Sequence, residues 1–368
     1  MAAVCGLIIA VALCAGCTST SSSPAGDDTS AGMKTITDGM GRTVSVPISP
    51  ERVVCSGSGC LRYLTYMQGE DYVVGVDDME IKDNIFDARP YAIANPQFSS
   101  LPMIGEFRGN DDPEKVVACN PQIIFKTMCT EASVADQLQQ KTGIPVVALQ
   151  YGNLNNDRAL MDQSFRLIGS IMGNEDRAEA VITYFDTLTK DLNERSIGIA
   201  EKDRKTVFVG GIAHAGPHGF KSTQPMYPPF QFVNARGLSE GPMTDHAIIA
   251  QEKIIAFDPE ILFVDLSTLQ TTPSAIDELK DDPSYAAMTA VKAGEVYGVL
   301  PYNWYHANQG SVMADAYFIG TVLYPDAFSD IDPAKKADEI YTFLVGEPVF
   351  NEMDDLFENQ VFKRISME

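Results

Sequence analysis

The sequence predicts an α/β protein of two lobes, each with a mainly parallel sheet flanked by helices, joined by one long interlobe helix. Three observations predict this. The chain has 368 residues, which suits two cores of lobe size better than one. A twelve-residue segment recurs: residues 114–125, EKVVACNPQIIF, match residues 252–263, EKIIAFDPEILF, at an offset of 138 with six positions identical. Between the copies, residues 175–199 carry Ala178, Val181, Ile182, Phe185, Leu188 and Leu192 at helical spacing with charged residues between them, the pattern of one long amphipathic helix.

The N-terminus comes first. Residues 1–17 form an apolar run too short to span a bilayer comfortably, ending in Ala15-Gly16-Cys17. This predicts a secretion signal cleaved before a lipidated Cys17. No Lys or Arg precedes the run, and Cys14 stands where an aliphatic residue is usual. Residues 18–32 hold Ser, Thr, Gly, Pro and Asp with almost nothing to bury, as in a flexible tether. A plain N-terminal transmembrane anchor is the alternative.

The first lobe is expected over 33–174. It opens with a hairpin turning at Asp38-Gly39. A short buried strand ending at Cys55, a Ser56-Gly57-Ser58-Gly59 loop and a helix carrying Leu61, Leu64 and Met67 follow. The glycines serve a tight strand-to-helix turn, and the loop is also able to offer backbone N–H groups to an anion. It lacks the lysine of a nucleotide P-loop. Next come a strand over 72–76, a long irregular stretch over 77–102, and a strand end running into a loop at residues 106–110. Each repeat copy reads as a short helix stopped before Pro121 or Pro259 and followed by a buried strand, because the residue before proline is pushed out of the α region.

The linking helix covers 175–199 and the second lobe 200–345. Its strands are expected at 206–209, 261–265 and 296–301, with helices near 274–279, 310–323 and 333–343. The acidic tail, 346–368, is expected to pack externally.

The formal charge of −23 and pI near 4.5 exclude nucleic acid as a partner, since phosphate binding needs Lys and Arg. Beyond residue 17 the cysteines are Cys55, Cys60, Cys119 and Cys129, without zinc-finger spacing or disulfide-framework density; they read as structural or free.

From Ile36 to Leu344 the chain resembles the periplasmic binding proteins of the ferric siderophore and cobalamin type. The resemblance is carried by residues 50–54, PERVV, by the two repeats with Asn120-Pro121 and Asp258-Pro259 before their strands, and by residues 296–299, VYGV, leading to Trp304. It implies the extracytoplasmic component of an ABC importer, which the lipidated Cys17 expected from the N-terminal segment would hold on the outer face of the membrane. Its partners would be a permease with its ATPase. It also implies that Glu114 and Glu252 dock on arginines of the permease, where two separated carboxylates set register; helix N-terminal glutamates favoured by the macrodipole are the alternative. The family often has a Glu in its first helix, where this chain has Cys60-Leu61-Arg62.

In such folds ligands meet loops at the carboxyl ends of the strands. The expected contacts are Ser56 and Ser58; Phe107 and Arg108, whose guanidinium suits anionic chelate oxygens; Phe220 and Lys221; and Tyr302, Trp304 and Tyr305, whose rings suit an extended chelator. The four histidines, His214, His218, His246 and His306, all lie in the second half, and His218 and His306 are candidate metal ligands. Solvated loop histidines are the alternative. The expected function is capture of a chelated metal, a ferric siderophore-type iron complex, by a monomer with no resident cofactor. Alternatives are free or histidine-complexed nickel, cobalt or iron, cobalamin, or haem. A secreted metalloenzyme ranks below these, because no His-Glu-x-x-His or Gly-x-Ser-x-Gly constellation occurs.

Overall fold

The computed structural model describes residues 32–82, 85–238 and 246–367. Cys17, the signal segment and the tether up to residue 31 lie outside the described residues. Residues 32–368 form a compact unit. Among the described residues no helix is long and apolar enough to cross a membrane.

The expected hairpin is present: β1 (Met33–Thr37) pairs antiparallel with β2 (Thr43–Pro47). The Asp38 carboxylate shapes its turn by accepting from the backbone N–H of Met40 and Arg42. Then come β3 (Val53–Ser56), α1 (Cys60–Tyr66), β4 (Val73–Asp77), α2 (Pro90–Ala94), β5 (Met103–Glu106), β6 (Asn110–Asp111), α3 (Pro113–Ala118), β7 (Ile123–Lys126), α4 (Ala132–Thr142) and β8 (Val146–Ala148). They build a six-stranded sheet in the order β6-β5-β4-β3-β7-β8, parallel except for the β5–β6 hairpin.

Two helices, α5 (Arg158–Met172) and α6 (Glu175–Ser196), lead to the second sheet. The stripe expected on α6 is buried: Ala178, Val181, Ile182, Phe185, Leu188 and Leu192. Each of its larger side chains contributes about 1.5–3 kcal/mol on burial.

The second half contains β9 (Thr206–Gly210), β10 (Ser222–Thr223), α7 (Pro228–Phe232), β11 (Arg236–Gly237), β12 (Ala247–Ile248), α8 (Gln251–Phe257) and β13 (Ile261–Asp265). It continues with α9 (Ala275–Asp281), α10 (Pro283–Ala286), α11 (Thr289–Ala293), β14 (Val296–Val299), α12 (Gln309–Leu323), α13 (Pro333–Val345) and α14 (Phe350–Leu356). Its parallel sheet runs β11-β9-β13-β14.

The order β4-β3-β7-β8 of the first sheet thus reappears as β11-β9-β13-β14. The sequence repeat falls on the equivalent helix-strand units α3–β7 and α8–β13. Even the backbone repeats: Asn120 and Asp258, 138 residues apart, both stand at positive φ, 52° and 41°, a conformation Asn and Asp tolerate better than most residues.

The tail departs from expectation. Phe350, Met353, Phe357, Val361 and Ile365 are all buried, and Ile365 N–H donates to Val296 O at 2.8 Å while Gly298 N–H donates to Lys363 O at 3.0 Å. Its apolar residues complete the second core beside β14, so it is not an external appendage.

Candidate functional site

In both sheets the chain reverses its direction of strand addition between the first strand and a later neighbour, at β3/β7 and at β9/β13. Crevices at the carboxyl ends of such strands are where open α/β sheets bind ligands. The loop that crosses between the halves, residues 300–308, follows β14.

The first lobe's side is built from the turn after β3. Gly57 and Gly59 have φ of 88° and 78°; a Cβ on Gly59 would lie 2.2 Å from the Tyr151 ring, so only glycine lets the two pack. The turn's N–H groups are spent inside the protein: Gly57 donates to Asp77 Oδ2 at 2.7 Å, Ser58 to Phe107 O at 2.8 Å and Cys60 to Gly57 O at 3.1 Å. Ser56 and Ser58 are buried, the Ser56 hydroxyl bonded to Asp111 and Lys126 and that of Ser58 to Phe107 O. Both serines therefore organise the loop from within, and the anion cradle expected of this turn does not form. Cys55 and Cys60 are buried free thiols, and burial, then Cys60, raises the Cys55 pKa.

Lys126 is 1% exposed. It pairs with Asp111 at 2.6 Å and donates to Gly109 O at 3.1 Å, which pins the hairpin loop carrying Phe107 and Arg108. Phe107 meets Tyr305 of the other half edge-on, ring centroids 4.8 Å apart. Arg108 is exposed, 3.6 Å from Glu106 and stacked over Phe107.

Sequence reasoning missed the main element. Arg62, in α1, is 1% exposed and reaches the opposite half, donating from Nη2 to Trp304 O at 3.0 Å and Tyr305 O at 3.3 Å, and from Nη1 to Ala307 O at 3.3 Å and to the Tyr151 hydroxyl. Tyr151 in turn donates to Ala307 O at 2.8 Å. It is stacked between Tyr63 and His306, at 4.4 and 4.6 Å. Tyr305 and His306 both sit at positive φ, 51° and 66°, a conformation that costs energy in non-glycine residues and tends to mark functional sites. Arg62 Nε and Trp304 Nε1 are buried without a hydrogen-bond partner among the described residues.

Close by, Arg89 is equally buried but fully neutralised: it bonds Glu80 at 2.7 Å and both oxygens of Asp87 at 2.9 and 2.7 Å. Tyr91 donates to Glu80 at 2.6 Å. The Arg89 guanidinium lies 5.5 Å from the Tyr305 ring centre, and that of Arg62 lies 5.3 Å from the Tyr91 ring centre.

The structure thus brings together Phe107, Arg108, Trp304, Tyr305 and His306. It places the other expected residues elsewhere. Phe220 is fully buried between Phe208 and Tyr285 and serves the second core. Lys221 lines a separate cavity with Glu278 and Tyr285. Tyr302 is buried and donates to Gln224. The paired histidines part company: His306 contacts Tyr151 and Met128 Sδ, whereas His218 packs with His214 and His246. Burial, then Arg62, pushes the His306 pKa down to about 4. Among the described residues no group of three or more His, Cys, Asp or Glu side chains is placed to hold a metal ion. Glu114 and Glu252 stand exposed in the first turns of α3 and α8.

Comparison with known proteins agrees with this architecture. No curated protein matches the sequence. Among solved structures, a periplasmic solute-binding protein of Veillonella parvula is 17% identical, with a TM-score of 0.72 and coverage of 90% of this chain and 98% of that one. The molybdate periplasmic binding protein MolA of Haemophilus influenzae, solved with molybdate, is 17% identical, with a TM-score of 0.65 and coverage of 85% and 98%. The petrobactin-binding protein YclQ of Bacillus subtilis is 17% identical, with a TM-score of 0.56 and coverage of 85% and 99%. At these identities the likeness speaks for the fold. The family model described as periplasmic binding protein matches residues 66–302, and the chain belongs to that family, the extracytoplasmic solute-binding proteins of ABC transporters.

Proposed function

We propose that this binding protein captures an anionic solute, a metal chelate of the ferric siderophore type, where the loops of its two sheets meet, and delivers it to the importer's permease. Arg62 carries the proposal. A buried guanidinium whose hydrogen-bond partners are all neutral, with Nε left over, is a charge no carboxylate touches, Glu80 acting on it only at a distance, and an anion entering the cleft supplies what the carbonyls of residues 304–307 lack. Arg89 shows the contrast, since its charge is already matched. Phe107, Trp304 and Tyr305 offer aromatic planes and a free indole N–H to an extended chelator, and exposed Arg108 stands at the rim. A structural neighbour named for petrobactin fits this class.

A compact oxyanion is the second reading, favoured by how tightly the 304–307 carbonyls enclose Arg62 and by the molybdate-bound neighbour. Direct histidine coordination of bare metal has less support, because His218 and His306 lie in different clusters. The protein is proposed to act as a monomer held to the membrane through Cys17, without catalysis, and to dock through Glu114 and Glu252.

Titration of Trp304 fluorescence with ferric catecholate and hydroxamate complexes, haem, cobalamin, molybdate and bare ferric, nickel and cobalt salts tests this. Saturable quenching by a ferric chelate is expected. A response to molybdate alone selects the second reading, and a response to bare metal alone contradicts both.

A further inference from the structure

Arg62, the residue proposed to hold the anion, is covered by the protein itself. Its Nη2 donates to the carbonyls of Trp304 and Tyr305, and its Nη1 to the carbonyl of Ala307 and the Tyr151 hydroxyl. Two bonds from each Nη use every hydrogen those nitrogens have. The loop 303–307 therefore sets its backbone oxygens where the oxygens of a bound anion would sit, and an anion reaches the guanidinium face only by displacing them.

The loop is firmly tied at its base and lightly at its tip. At the base, Asn303 and Ala307 bridge across it, Asn303 Nδ2 donates to Ala213 O at 3.0 Å, and Asn308 donates to Tyr302 O through its backbone N–H at 2.7 Å and through Nδ2 at 3.0 Å. These bonds all lie within the second half. The tip meets the first half through the Tyr305 ring on Phe107, the His306 ring on Tyr151, His306 Nε2 at 3.0 Å from Met128 Sδ, and Ala307 O accepting from Tyr151.

The covering position is costly. Tyr305 and His306 both hold positive φ, and Arg62 Nε, Trp304 Nε1 and Asn308 Oδ1 are buried with no hydrogen-bond partner among the described residues. Strain and orphaned polar atoms gathered on one loop lower the cost of leaving that position.

We infer that the loop 303–307 is a gate: its carbonyls stand in for the cargo's oxygens in the cargo-free protein, and an anionic cargo displaces them. The inference rests on the reading of Arg62 as the anion's anchor. A neutral solute offers the guanidinium no more than the carbonyls already do, whereas an anion adds opposite charge in a site with little water. The gate thus selects for charge, and it lowers apparent affinity by the fraction of molecules that are open.

The test begins without cargo. Backbone hydrogen exchange of the whole protein, read by mass spectrometry, should show residues 303–308 exchanging by local opening, ahead of β14. Tyr151→Phe removes the bond to Ala307 O and keeps the ring under His306, and should speed that exchange roughly two- to ten-fold. Met128→Ala, at an exposed position, should act in the same direction. Exchange of 303–308 only in step with β14 overturns the gate, whatever the protein binds. Calorimetric titration with a ferric tris-catecholate and with molybdate follows. The anion that binds wild type should bind Tyr151→Phe or Met128→Ala more tightly, by up to roughly ten-fold, and Arg62→Gln more weakly. No gain in either loop variant overturns the gate, and a loss in Arg62→Gln then leaves the anchor standing. Local opening with neither anion bound overturns the anchor and, with it, cargo as what opens the loop.

Discussion

The two halves share a strand order but differ in how they treat most of their buried charge; the exception is Asp77 of the first, buried with the Gly57 N–H as its partner at 2.7 Å. In the first, Lys126 pairs with Asp111 and Arg89 with Glu80 and Asp87, all within 2.9 Å. In the second, Asp265 and Asp315 are buried with neutral hydrogen-bond partners: Asp265 accepts from Ser267 N–H and Asp315 from Leu300 N–H, both at 2.9 Å, with the Tyr227 hydroxyl 3.5 Å from Asp315. Paired charges fix the loops that face the cleft. Unpaired buried acids, Asp265 and Asp315 in the second half and Asp77 in the first, make stability depend on pH. Arg62 belongs to neither scheme, being a buried cation held by the carbonyls of the opposite half.

The largest effect should come from breaking a pair. Lys126→Met strands Asp111, and urea unfolding should show a loss of about 3–5 kcal/mol, largely recovered in Lys126→Met/Asp111→Asn. A loss below about 1 kcal/mol would show that the pair does not hold the 106–111 hairpin.

Next is the pH dependence of the second half. Burial raises the Asp265 pKa to about 7 from the ordinary value of 3.8. A group raised in this way contributes stability in full below its unfolded pKa, and that contribution is lost as pH rises through the folded one. Between pH 4 and pH 8 the wild type should lose roughly 3 kcal/mol relative to Asp265→Asn. Parallel pH profiles of the two proteins would mean that Asp265 ionises freely.

Smaller again is Gly59→Ala, which combines positive φ with a Cβ inside the Tyr151 ring. It should cost about 1–3 kcal/mol and loosen the 304–307 loop, read as a change in Trp304 emission.

Much of the fold was legible because it is written locally. The two repeats, the turn at Asp38 and the stripe on α6 are periodicities or turn chemistries within a dozen or so residues. The tail carried the same signal, Phe350, Met353 and Phe357 at helical spacing, but its acidic residues drew attention to solvent. The site was legible only in part. Trp304, Tyr305 and Phe107 were expected from strand-end position and do lie against one another, whereas Arg62 was read only as a departure from a family pattern. Its role depends on residues about 240 positions away, and no spacing rule reports that. Ser56 and Ser58 misled for the converse reason: a glycine-rich turn looks the same whether its N–H groups face a ligand or Asp77.

The most direct test of Arg62 as the anion's anchor is to titrate Trp304 fluorescence with one anionic ferric chelate in wild type and Arg62→Gln, checking that the variant unfolds cooperatively. Affinity lower by roughly ten-fold or more is the predicted result, with no such loss for a neutral chelate of similar size. Equal affinity for the anionic chelate in the two proteins would contradict it, and would leave Arg62 as a strut between the halves.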